Sequence, residues 1–368
     1  MVEIIKRLQK KCQIEIYSTN YIKKVYCQYG LDKCKYNIVD TKLTFHNKLD
    51  LSLISIYLLI KAFIVKKIHN DFDKDQNIII YSSSDLFWET IPAFILKIKK
   101  PKIKWIQVIH HIYPNWNKRS GNKIINFLGY YLQYFSHKII ARKADLIITI
   151  NPNNIEPLIS RGFKKEKIKL SYNGISLDYI NKTKISTKTS LYDGVFLGRL
   201  NYSKGVMDLV EIWKLVVKKN NQLKLAIIGA GPKEIENQLK LKIKQNKLEK
   251  NIFLLGYVEE NEKISILKNS KVFVFPSHEE GWGIVISEAM ACKLAVIVYN
   301  LKNYYPIYKD SIIYIEENNY QLFAEKINFI VNNKKVRDLI VKSGYELISQ
   351  FDWDKISQLE LNLIKQYE

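Results

Sequence analysis

The sequence predicts an α/β protein made of two doubly wound domains, each built on a parallel sheet covered by helices. Its 368 residues exceed one ordinary core, since a domain averages about 150 residues. Short apolar runs rich in β-branched residues alternate with longer amphipathic stretches, which is typical of parallel strands and their helices. Residues 181–190 are polar, lack apolar periodicity and are interpreted as a linker. We therefore expect two domains that face each other across a cleft.

The individual elements can be placed along the chain. Ile4, Ile5 and Leu8 have the spacing of an apolar helical stripe, which leads into the first predicted strand. The predicted strands of the first half are residues 13–17, 77–81, 104–109 and 146–150. The predicted strands of the second half are residues 194–197, 223–228, 252–255, 271–275, 294–298 and 312–315. These runs are continuously apolar, which indicates sheets buried on both faces.

The composition indicates a reducing compartment. The four cysteines include no Cys-x-x-Cys pair and no metal-site spacing, so free thiols are expected. Charged residues interrupt the N-terminus, which therefore lacks the apolar core of a signal peptide. The longest apolar run, residues 51–65, contains Lys61 and is shorter than the roughly 20 residues that span a bilayer. We predict a cytoplasmic protein, either soluble or peripheral on the inner face of the cell membrane.

The positive charge is concentrated in the first half. The net charge is +22, and residues 1–180 hold 30 Lys and Arg against 14 Asp and Glu, compared with 28 against 22 in the remainder. Residues 90–144 contain eleven basic side chains and no acidic one. A general compositional bias explains the total, whereas the local absence of acids favours a face that binds phosphates or an anionic membrane surface. No nucleic-acid recognition motif accompanies the charge, so nucleic acid is not expected as a partner.

Residues 277–291 follow a predicted strand and read as a glycine-containing turn that opens a helix. Bare backbone amides at a helix N-terminus form a site for anionic oxygens. Two carboxylates, Glu280 and Glu288, flank the turn. A phosphate would repel them, so their expected use is to accept hydrogen bonds from sugar hydroxyls. The alternative is that both acids simply favour the positive end of the helix.

A second cluster follows the predicted strand 194–197. Gly198 begins this turn, and Arg199 and Lys204 lie within it, where their charges would meet a diphosphate at the carboxyl edge of a sheet. A third turn begins at Gly229 and allows close approach of the backbone to a ligand. It lacks the third glycine of a dinucleotide fingerprint and is a weak signal by itself.

Together these motifs resemble the donor domain of the family 4 glycosyltransferases, a retaining group with the two-domain GT-B fold. The resemblance is specific over residues 194–298, through Gly-Arg-…-Lys-Gly, Ile-Gly-Ala-Gly-Pro, Leu-Gly-Tyr-Val and Glu-Gly-Trp-Gly-…-Glu-Ala-Met-Ala. It implies transfer of a sugar from a nucleotide-diphosphate-sugar to an acceptor, with retention of configuration and without a metal or other cofactor. The implied acceptor is a glycan, either lipid-linked or a cell-surface glycan precursor.

The resemblance also implies a role for each site residue. Arg199 and Lys204 are expected to hold the donor diphosphate and to stabilise its departure. Glu280 is expected to contact the transferred sugar, and Glu288 the ribose. The other implied donor-binding residues lie by the base or offer backbone amides to the sugar and phosphates; they are Gly198, Gly229, Tyr257, Val258, Gly281, Trp282, Gly283 and Ile284.

Two departures from known patterns concern local structure. The triplet Asp71-Phe-Asp73 is similar to the metal motif of the other glycosyltransferase fold, but it lies in a charged run and is interpreted as a solvated loop. Lys293 stands where the family usually has glycine, at a position that suits a left-handed helix end. If that conformation is kept, a lysine there costs about 1 kcal/mol.

The first half supplies one further catalytic candidate. The resemblance places a histidine beside the transferred sugar, and His110 fits that position, with His111 as the alternative. The non-catalytic interpretation is a histidine that only caps the end of a strand. A predicted helix follows, with five aromatic residues at helical spacing: Phe127, Tyr130, Tyr131, Tyr134 and Phe135. These rings either pack against the sheet, which is the favoured interpretation, or lie in a membrane interface.

The resemblance gives an acceptor-side domain over residues 1–185, a donor domain over 186–350 and a C-terminal helix, 351–368, that returns to the first domain. The family opens on a strand, whereas this chain opens on a helix, so we expect its first domain to lack the opening strand. A catalytically weak or inactive nucleotide-sugar-binding protein is therefore the alternative function. A hydrolase that uses Glu280 and Glu288 as an acid/base pair is a further alternative.

Overall fold

A computed structural model describes residues 2–18, 20–38, 78–118, 122–186 and 191–367. The chain forms two compact units: Met1–Tyr172 together with Trp353–Glu368, and Asn173–Asp352. The apolar run 51–65, the Asp71-Phe-Asp73 triplet and the end of the predicted linker lie outside the described residues.

The elements are numbered here in chain order. The strands are β1 Glu15–Ser18, β2 Lys35–Ile38, β3 Ile79–Ser82, β4 Lys104–Ile109, β5 Leu146–Thr149, β6 Ile168–Leu170, β7 Tyr192–Leu197, β8 Leu225–Ile228, β9 Ile252–Gly256, β10 Ser270–Phe275, β11 Ala295–Tyr299 and β12 Ile313–Ile315. The α-helices are α1 Val2–Leu8, α2 Asn20–Gln28, α3 Phe87–Lys99, α4 Lys123–Lys143, α5 Ile155–Ser160, α6 Leu177–Lys182, α7 Val206–Lys219, α8 Lys233–Gln245, α9 Glu260–Lys268, α10 Ile284–Ala291, α11 Tyr305–Tyr308, α12 Tyr320–Asn332, α13 Lys334–Ile348 and α14 Trp353–Lys365.

The first unit contains two separate parallel sheets among its described strands. One has the order β1-β2 and the other β3-β4-β5-β6. A single doubly wound sheet would need a further strand paired with both β1 and β3, and the described residues supply none. The sequence did not predict β2 and β6, because both strands are short and interrupted by polar residues.

The C-terminal helix α14 is part of the first unit. Leu363 packs with Ile106 and Ile148 of the four-stranded sheet, and Leu361 packs with Leu8 of α1. The helix also carries the buried Glu360, which accepts hydrogen bonds from Tyr81 Oη at 2.6 Å and Ser171 Oγ at 3.0 Å. Apolar contacts and a satisfied buried carboxylate therefore fix this helix on the unit.

The division between the units falls ahead of the predicted linker. The amide of Ile175 donates to the carbonyl of Phe351 at 2.8 Å, and Ile175 bridges in parallel to Asp352. The first and last residues of the second unit therefore run side by side. This contact assigns the segment from Asn173 onward to the second unit.

The second unit contains one six-stranded parallel sheet with the order β12-β11-β10-β7-β8-β9. Consecutive strands are added outward from β7 on one side and from β10 on the other, so the direction of winding reverses between β7 and β10. All six strands predicted for this half are present, and the predicted parallel α/β architecture is confirmed in both units. In such a sheet the ligand crevice lies at the carboxyl ends of the strands, at the point of reversal.

The aromatic residues of α4 do not form the core that was favoured for them. Exposed fractions are 43% for Phe127, 47% for Tyr131, 38% for Tyr134 and 54% for Phe135. The core-packing prediction is therefore wrong for these four rings. The reason is that polar side chains occupy the buried face of this part of α4.

Candidate active site

The predicted site residues of the second unit lie at the carboxyl ends of four adjacent strands. The sheet order brings the loops after β9, β8, β7 and β10 side by side. Tyr257 follows β9, Gly229 follows β8, Arg199 follows β7 and Glu280 follows β10. The fold therefore gathers at one edge residues that are far apart in sequence, on both sides of the point of reversal.

The loops after β7 and β10 are joined through their backbones. Gly205 has a φ of 68°, and a Cβ atom there would lie 1.8 Å from the carbonyl oxygen of Pro276. The Ser203 carbonyl accepts hydrogen bonds from the His278 amide at 2.8 Å and from Ser277 Oγ at 3.0 Å. Only glycine permits this approach, so Gly205 fixes the spacing of the two loops.

Both helices that leave the point of reversal begin without a side-chain cap. The N-cap residues are Gly205 for α7 and Gly283 for α10, each with a left-handed backbone, and neither provides a capping hydrogen bond. Asparagine side chains cap α4, α12 and α13, whereas α3, α5, α6, α8, α9 and α11 also lack a side-chain cap but do not begin on a left-handed glycine. The first amides of α7 and α10 are thus without a side-chain acceptor, which suits the binding of an anion.

Two basic side chains follow β7. Lys204 Nζ lies 2.5 Å from Glu280 Oε1 and donates to the Glu279 carbonyl at 3.1 Å. Arg199 is exposed and has no hydrogen-bond or ion-pair partner among the described residues. The site therefore pairs one half-buried lysine with a carboxylate and leaves one arginine charge available.

The loop that carries Glu280 is held from a second side. Asn303 Nδ2 donates to the Glu280 carbonyl at 2.7 Å. Asn303 was not among the predicted site residues, because it lies beyond β11 and only the fold brings it to this loop.

Glu288 pairs with a lysine that sequence reasoning missed. Lys263 Nζ, on α9, lies 2.8 Å from Glu288 Oε1 on α10. Burial lowers the pKa of Lys263, but attraction to Glu288 and Glu260 outweighs burial and leaves this pKa raised. Lys263 is thus held in its charged form. No local pattern marks it, because its partner is on another helix.

The glycines of the β7 and β8 turns touch each other. A Cβ atom at Gly229, whose φ is 136°, would lie 1.9 Å from the Gly198 carbonyl oxygen. The Gly229 amide also donates to the Gly256 carbonyl at 2.8 Å, which connects the turn to the end of β9. Beyond that end, Tyr257 is 76% exposed and Val258 is half-buried. Tyr257 therefore offers a free ring at this end of the edge.

The segment from Gly281 to Ile284 presents backbone rather than side chains, except at Ile284. The ring of Trp282 is buried, and its Nε1 donates to Ser287 Oγ at 3.1 Å. The Tyr308 hydroxyl lies 3.0 Å from the carbonyls of Trp282 and of Gly283. Ile284 is 47% exposed. Trp282 thus anchors the turn in the core, so only its backbone faces the site.

A histidine between two carboxylates locks the β10 loop. His278 Nε2 lies 3.0 Å from Asp208 on α7, and its Nδ1 lies 2.9 Å from Glu317. The hydrogen bond with Asp208, together with Glu317, raises the pKa of His278 to about 9. The imidazole is therefore charged at neutral pH and ties the loop to α7.

In the first unit, His110 follows β4 and contacts the residue that follows β3. Its Nε2 lies 2.8 Å from the Ser83 carbonyl, which can only accept a hydrogen bond. Burial lowers the pKa of His110, so the neutral ring carries its proton on Nε2. Nδ1 is then the acceptor nitrogen of this imidazole.

Comparison with known proteins gives three results. Residues 180–347 match the family model of the glycosyl transferases group 1. CapM of Staphylococcus aureus, a capsular polysaccharide biosynthesis glycosyltransferase, is 29% identical over 260 residues, which cover 65% of this chain and 67% of CapM. The crystal structure of HepE from Anabaena in complex with UDP-glucose superposes with a TM-score of 0.75 at 16% identity, over 99% of this chain and 94% of HepE.

A further relative comes from Campylobacter jejuni. It is an N-acetylgalactosamine-N,N'-diacetylbacillosaminyl-diphospho-undecaprenol 4-alpha-N-acetylgalactosaminyltransferase, 29% identical over 189 residues, which cover 50% of this chain and 48% of that protein. The chain thus matches between about half and two thirds of these curated relatives' lengths.

The fold, the site and these matches define a glycosyltransferase of the GT-B type. The match to the group 1 family of glycosyl transferases covers residues 180–347, which lie in the second unit. The resemblance noted in the sequence is thereby confirmed for the GT-B fold and for the glycosyltransferase class. The individual site roles stay predictions.

Proposed function

We propose that this enzyme is a retaining glycosyltransferase that moves a sugar from a nucleotide-diphosphate-sugar to a glycan acceptor. The observation that carries the proposal is the pair of uncapped helix N-termini at the point where the sheet reverses. Two basic residues, Arg199 and Lys204, accompany them. A diphosphate matches this arrangement because it carries two adjacent anionic groups.

The order of the loops supports an extended donor along the sheet edge. Tyr257 and Val258, after the outermost strand β9, would meet the base. Glu288 would hold the ribose, since Lys263 occupies only its Oε1 and Oε2 can accept hydroxyl hydrogen bonds. The diphosphate would then lie by Arg199, and the sugar beyond the point of reversal.

The transfer itself follows from the charges at the edge. As the bond between the anomeric carbon and the phosphate oxygen breaks, negative charge grows on that oxygen. Arg199, Lys204 and the two helix N-termini would stabilise this charge in place. The same oxygen accepts the proton of the acceptor hydroxyl, whose oxygen bonds to the anomeric carbon on the same face. Configuration is thus retained, and the proton leaves with the nucleoside diphosphate.

Two side chains would orient the sugar. Glu280 is held by Lys204 and by Asn303 and would accept sugar hydroxyls. His110 would accept a hydroxyl hydrogen bond at Nδ1. Neither role needs a metal ion, and the proposed reaction proceeds without one.

The acceptor is proposed to be a lipid-linked or cell-surface glycan precursor, used in the cytoplasm at the inner face of the membrane. The names of two relatives support this class, one through capsular polysaccharide and the other through diphospho-undecaprenol. Within the described ranges, no helix has both the length and the apolar content needed to cross a membrane.

The test measures donor use with a panel of nucleotide-sugars. Lys204→Ala should lower kcat/KM for the preferred donor about tenfold or more, because it removes a charge-assisted contact worth roughly 1.5 to 3 kcal/mol. Lys218→Ala is the matched control, since Lys218 is exposed at the far end of α7. It should change kcat/KM by less than about twofold. Equal effects of the two variants would remove the diphosphate assignment.

Product analysis tests the remaining claims. The anomeric proton coupling of the product should show the donor's configuration, and an inverted product overturns retention. EDTA should leave the rate unchanged, whereas loss of activity that Mg²⁺ restores overturns the metal-free reaction. Nucleotide-sugar binding without turnover would establish the inactive binding protein instead. Hydrolysis of glycosides that is indifferent to Lys204→Ala would establish the hydrolase.

A further inference from the structure

The helix α4 is amphipathic in the reverse of the usual sense. Over residues 123–137, its buried side chains are polar: Asn126, Gln133, Ser136 and His137. Its exposed large apolar side chains are Ile124, Ile125, Phe127, Leu128, Tyr131, Tyr134 and Phe135, and their exposed fractions run from 38% to 71%. Helices on globular proteins normally bury the apolar stripe. The exposed set is called the α4 outer face below.

Internal polar contacts hold α4 in this orientation. Gln133 Nε2 donates to Asp85 Oδ2 at 2.9 Å, and Gln133 Oε1 accepts from the Tyr113 amide at 2.9 Å. His137 Nε2 lies 2.7 Å from the same Asp85 oxygen, and Arg161 Nη1 lies 2.8 Å from His137 Nδ1. A rotation that buried the apolar residues would break these contacts. The outer face therefore remains outside.

The α4 outer face is one continuous surface. Its members recur every three or four residues, so they lie along one side of the helix. Several rings also pack on one another: Phe127 on Tyr131 with centroids 4.5 Å apart, and Trp116 on Phe127 at 5.5 Å. Phe135 packs on Phe87 at 5.6 Å. Contiguous exposed apolar surface of this kind marks an interaction site.

The charged side chains of α4 are all basic. Lys123 begins the helix, and Lys138, Arg142 and Lys143 follow the apolar stripe. Lys138 Nζ lies 5.2 Å from the Tyr134 ring centroid. No acidic residue occurs between residues 90 and 144. A second copy of this chain would bring two basic rims together, whereas an anionic lipid surface complements them.

We propose that the α4 outer face inserts into the interface of an anionic bilayer. The helix would lie parallel to the membrane plane, with its aromatic and aliphatic side chains among the acyl chains nearest the headgroups. The basic side chains would meet the lipid phosphates. The proposal builds on the proposed use of a membrane-linked acceptor. Donor cleavage measured without lipid tests the proposed function separately.

Vesicle co-sedimentation tests the surface. The whole protein should bind phosphatidylglycerol/phosphatidylcholine vesicles at low salt, bind phosphatidylcholine vesicles far less, and dissociate at high salt. The double variant Phe127→Ser/Tyr131→Ser should bind these anionic vesicles at least about tenfold more weakly than the wild type, because apolar burial is lost. Leu339→Ser, which removes an apolar side chain 62% exposed on α13, is the matched control and should bind as the wild type.

Three measurements distinguish a loss of membrane contact from a folding artefact. Both serine variants should keep the wild-type rate of donor cleavage without lipid. Lys138→Gln/Arg142→Gln leaves the apolar stripe intact, and it should weaken anionic binding and flatten its salt dependence. Trp116 fluorescence should shift to the blue and be quenched by brominated lipid, and Trp116→Phe should remove the quenched component.

Equal binding to both vesicle types, or binding to neither, overturns the proposal. Wild-type binding by the double serine variant also overturns it. A concentration-dependent dimer that this variant abolishes would show that the face covers a second copy of the chain, which overturns it as well. If all proteins bind vesicles as expected but cleave no donor, the proposed function fails and the docking surface stands.

Discussion

The second unit and the first unit use parallel α/β architecture in different ways. The second has one six-stranded sheet, and its site is built from loops that follow successive strands. The first has two sheets among its described strands, and its notable features are long-range polar contacts such as the one between His137 and Asp85. The comparison teaches that a ligand site at a sheet edge can be read from local motifs. A buried polar network cannot, because its members share no local pattern.

The largest expected effect tests the polar network of the first unit. Asp85→Ala should destabilise that unit by about 3 kcal/mol or more, because it leaves two buried donors, His137 Nε2 and Gln133 Nε2, without the acceptor they share, each at a cost of about 1 to 3 kcal/mol. Hydrogen exchange should quicken in residues 104–118 and 123–143 and stay unchanged in the strands of the second unit. Asp178→Ala removes an exposed pair with Lys182 and is the control.

The control should cost less than about 1 kcal/mol, as exposed ion pairs do. If Asp85→Ala were as mild as Asp178→Ala, the network would not be what orients α4. Long-range polar contacts would then not distinguish the first unit from the second.

The next effect tests the loop junction of the second unit. Gly205→Ala and Gly256→Ala both place a Cβ on a residue with a φ of 68°, but only at Gly205 does that atom meet a backbone carbonyl, at 1.8 Å. In both variants the free energy of unfolding should fall by about 1 kcal/mol, because a residue with a Cβ is disfavoured in the left-handed conformation. Gly205→Ala should lose a further 1 to 3 kcal/mol or so from overpacking.

Chemical denaturation of the two variants measures this difference. Gly205→Ala should also impair donor use, since it separates the loops that carry Lys204 and Glu280. Equal stability of the two variants would show that the junction yields easily. The second unit would then be less rigid at its edge than the contacts of Gly205 indicate.

A smaller effect is the pH dependence of stability that His278 causes at the same junction. Because the folded pKa of His278 is raised from 6.5 to about 9, its protonated form stabilises the fold. This contribution is complete below pH 6.5 and is lost as the pH rises through about 9. The free energy of unfolding of the wild type should therefore fall between pH 6.5 and pH values above about 9, and His278→Gln should reduce this fall. An unchanged pH profile of unfolding in His278→Gln would contradict the lock.

The smallest expected effect concerns backbone strain. Lys293 has a φ of 62°, so the left-handed helix end that suits glycine is kept at this position. Lys293→Gly should stabilise the protein by up to about 1 kcal/mol, reduced by the loss of the contact between its Nζ and the Tyr345 ring. Lys218→Gly, within α7, is the opposite control and should destabilise by about 1 kcal/mol. If the melting temperatures of Lys293→Gly and Lys218→Gly shifted in the same direction, the claim that Lys293 strains the backbone would be wrong.

Sequence alone placed most of the second unit. All six of its strands were predicted, Arg199 and Lys204 were expected at the carboxyl edge of the sheet, and Gly229 and Glu280 were expected in turns that follow strands. These predictions succeeded because continuous apolar runs indicate buried parallel strands, and because loops after parallel strands must meet at the same edge. The charged and glycine residues of a turn stand next to the strand that positions them.

Tertiary structure decided the rest. Lys263 is paired with Glu288 only because α9 and α10 lie together, and Asn303 reaches the Glu280 loop from beyond β11. The aromatic spacing of α4 predicted an apolar stripe but not which side it faces, and the contacts of Gln133 and His137 with Asp85 settled that. Periodicity fixes which residues share a side of a helix. The direction of that side depends on partners that are distant in the chain.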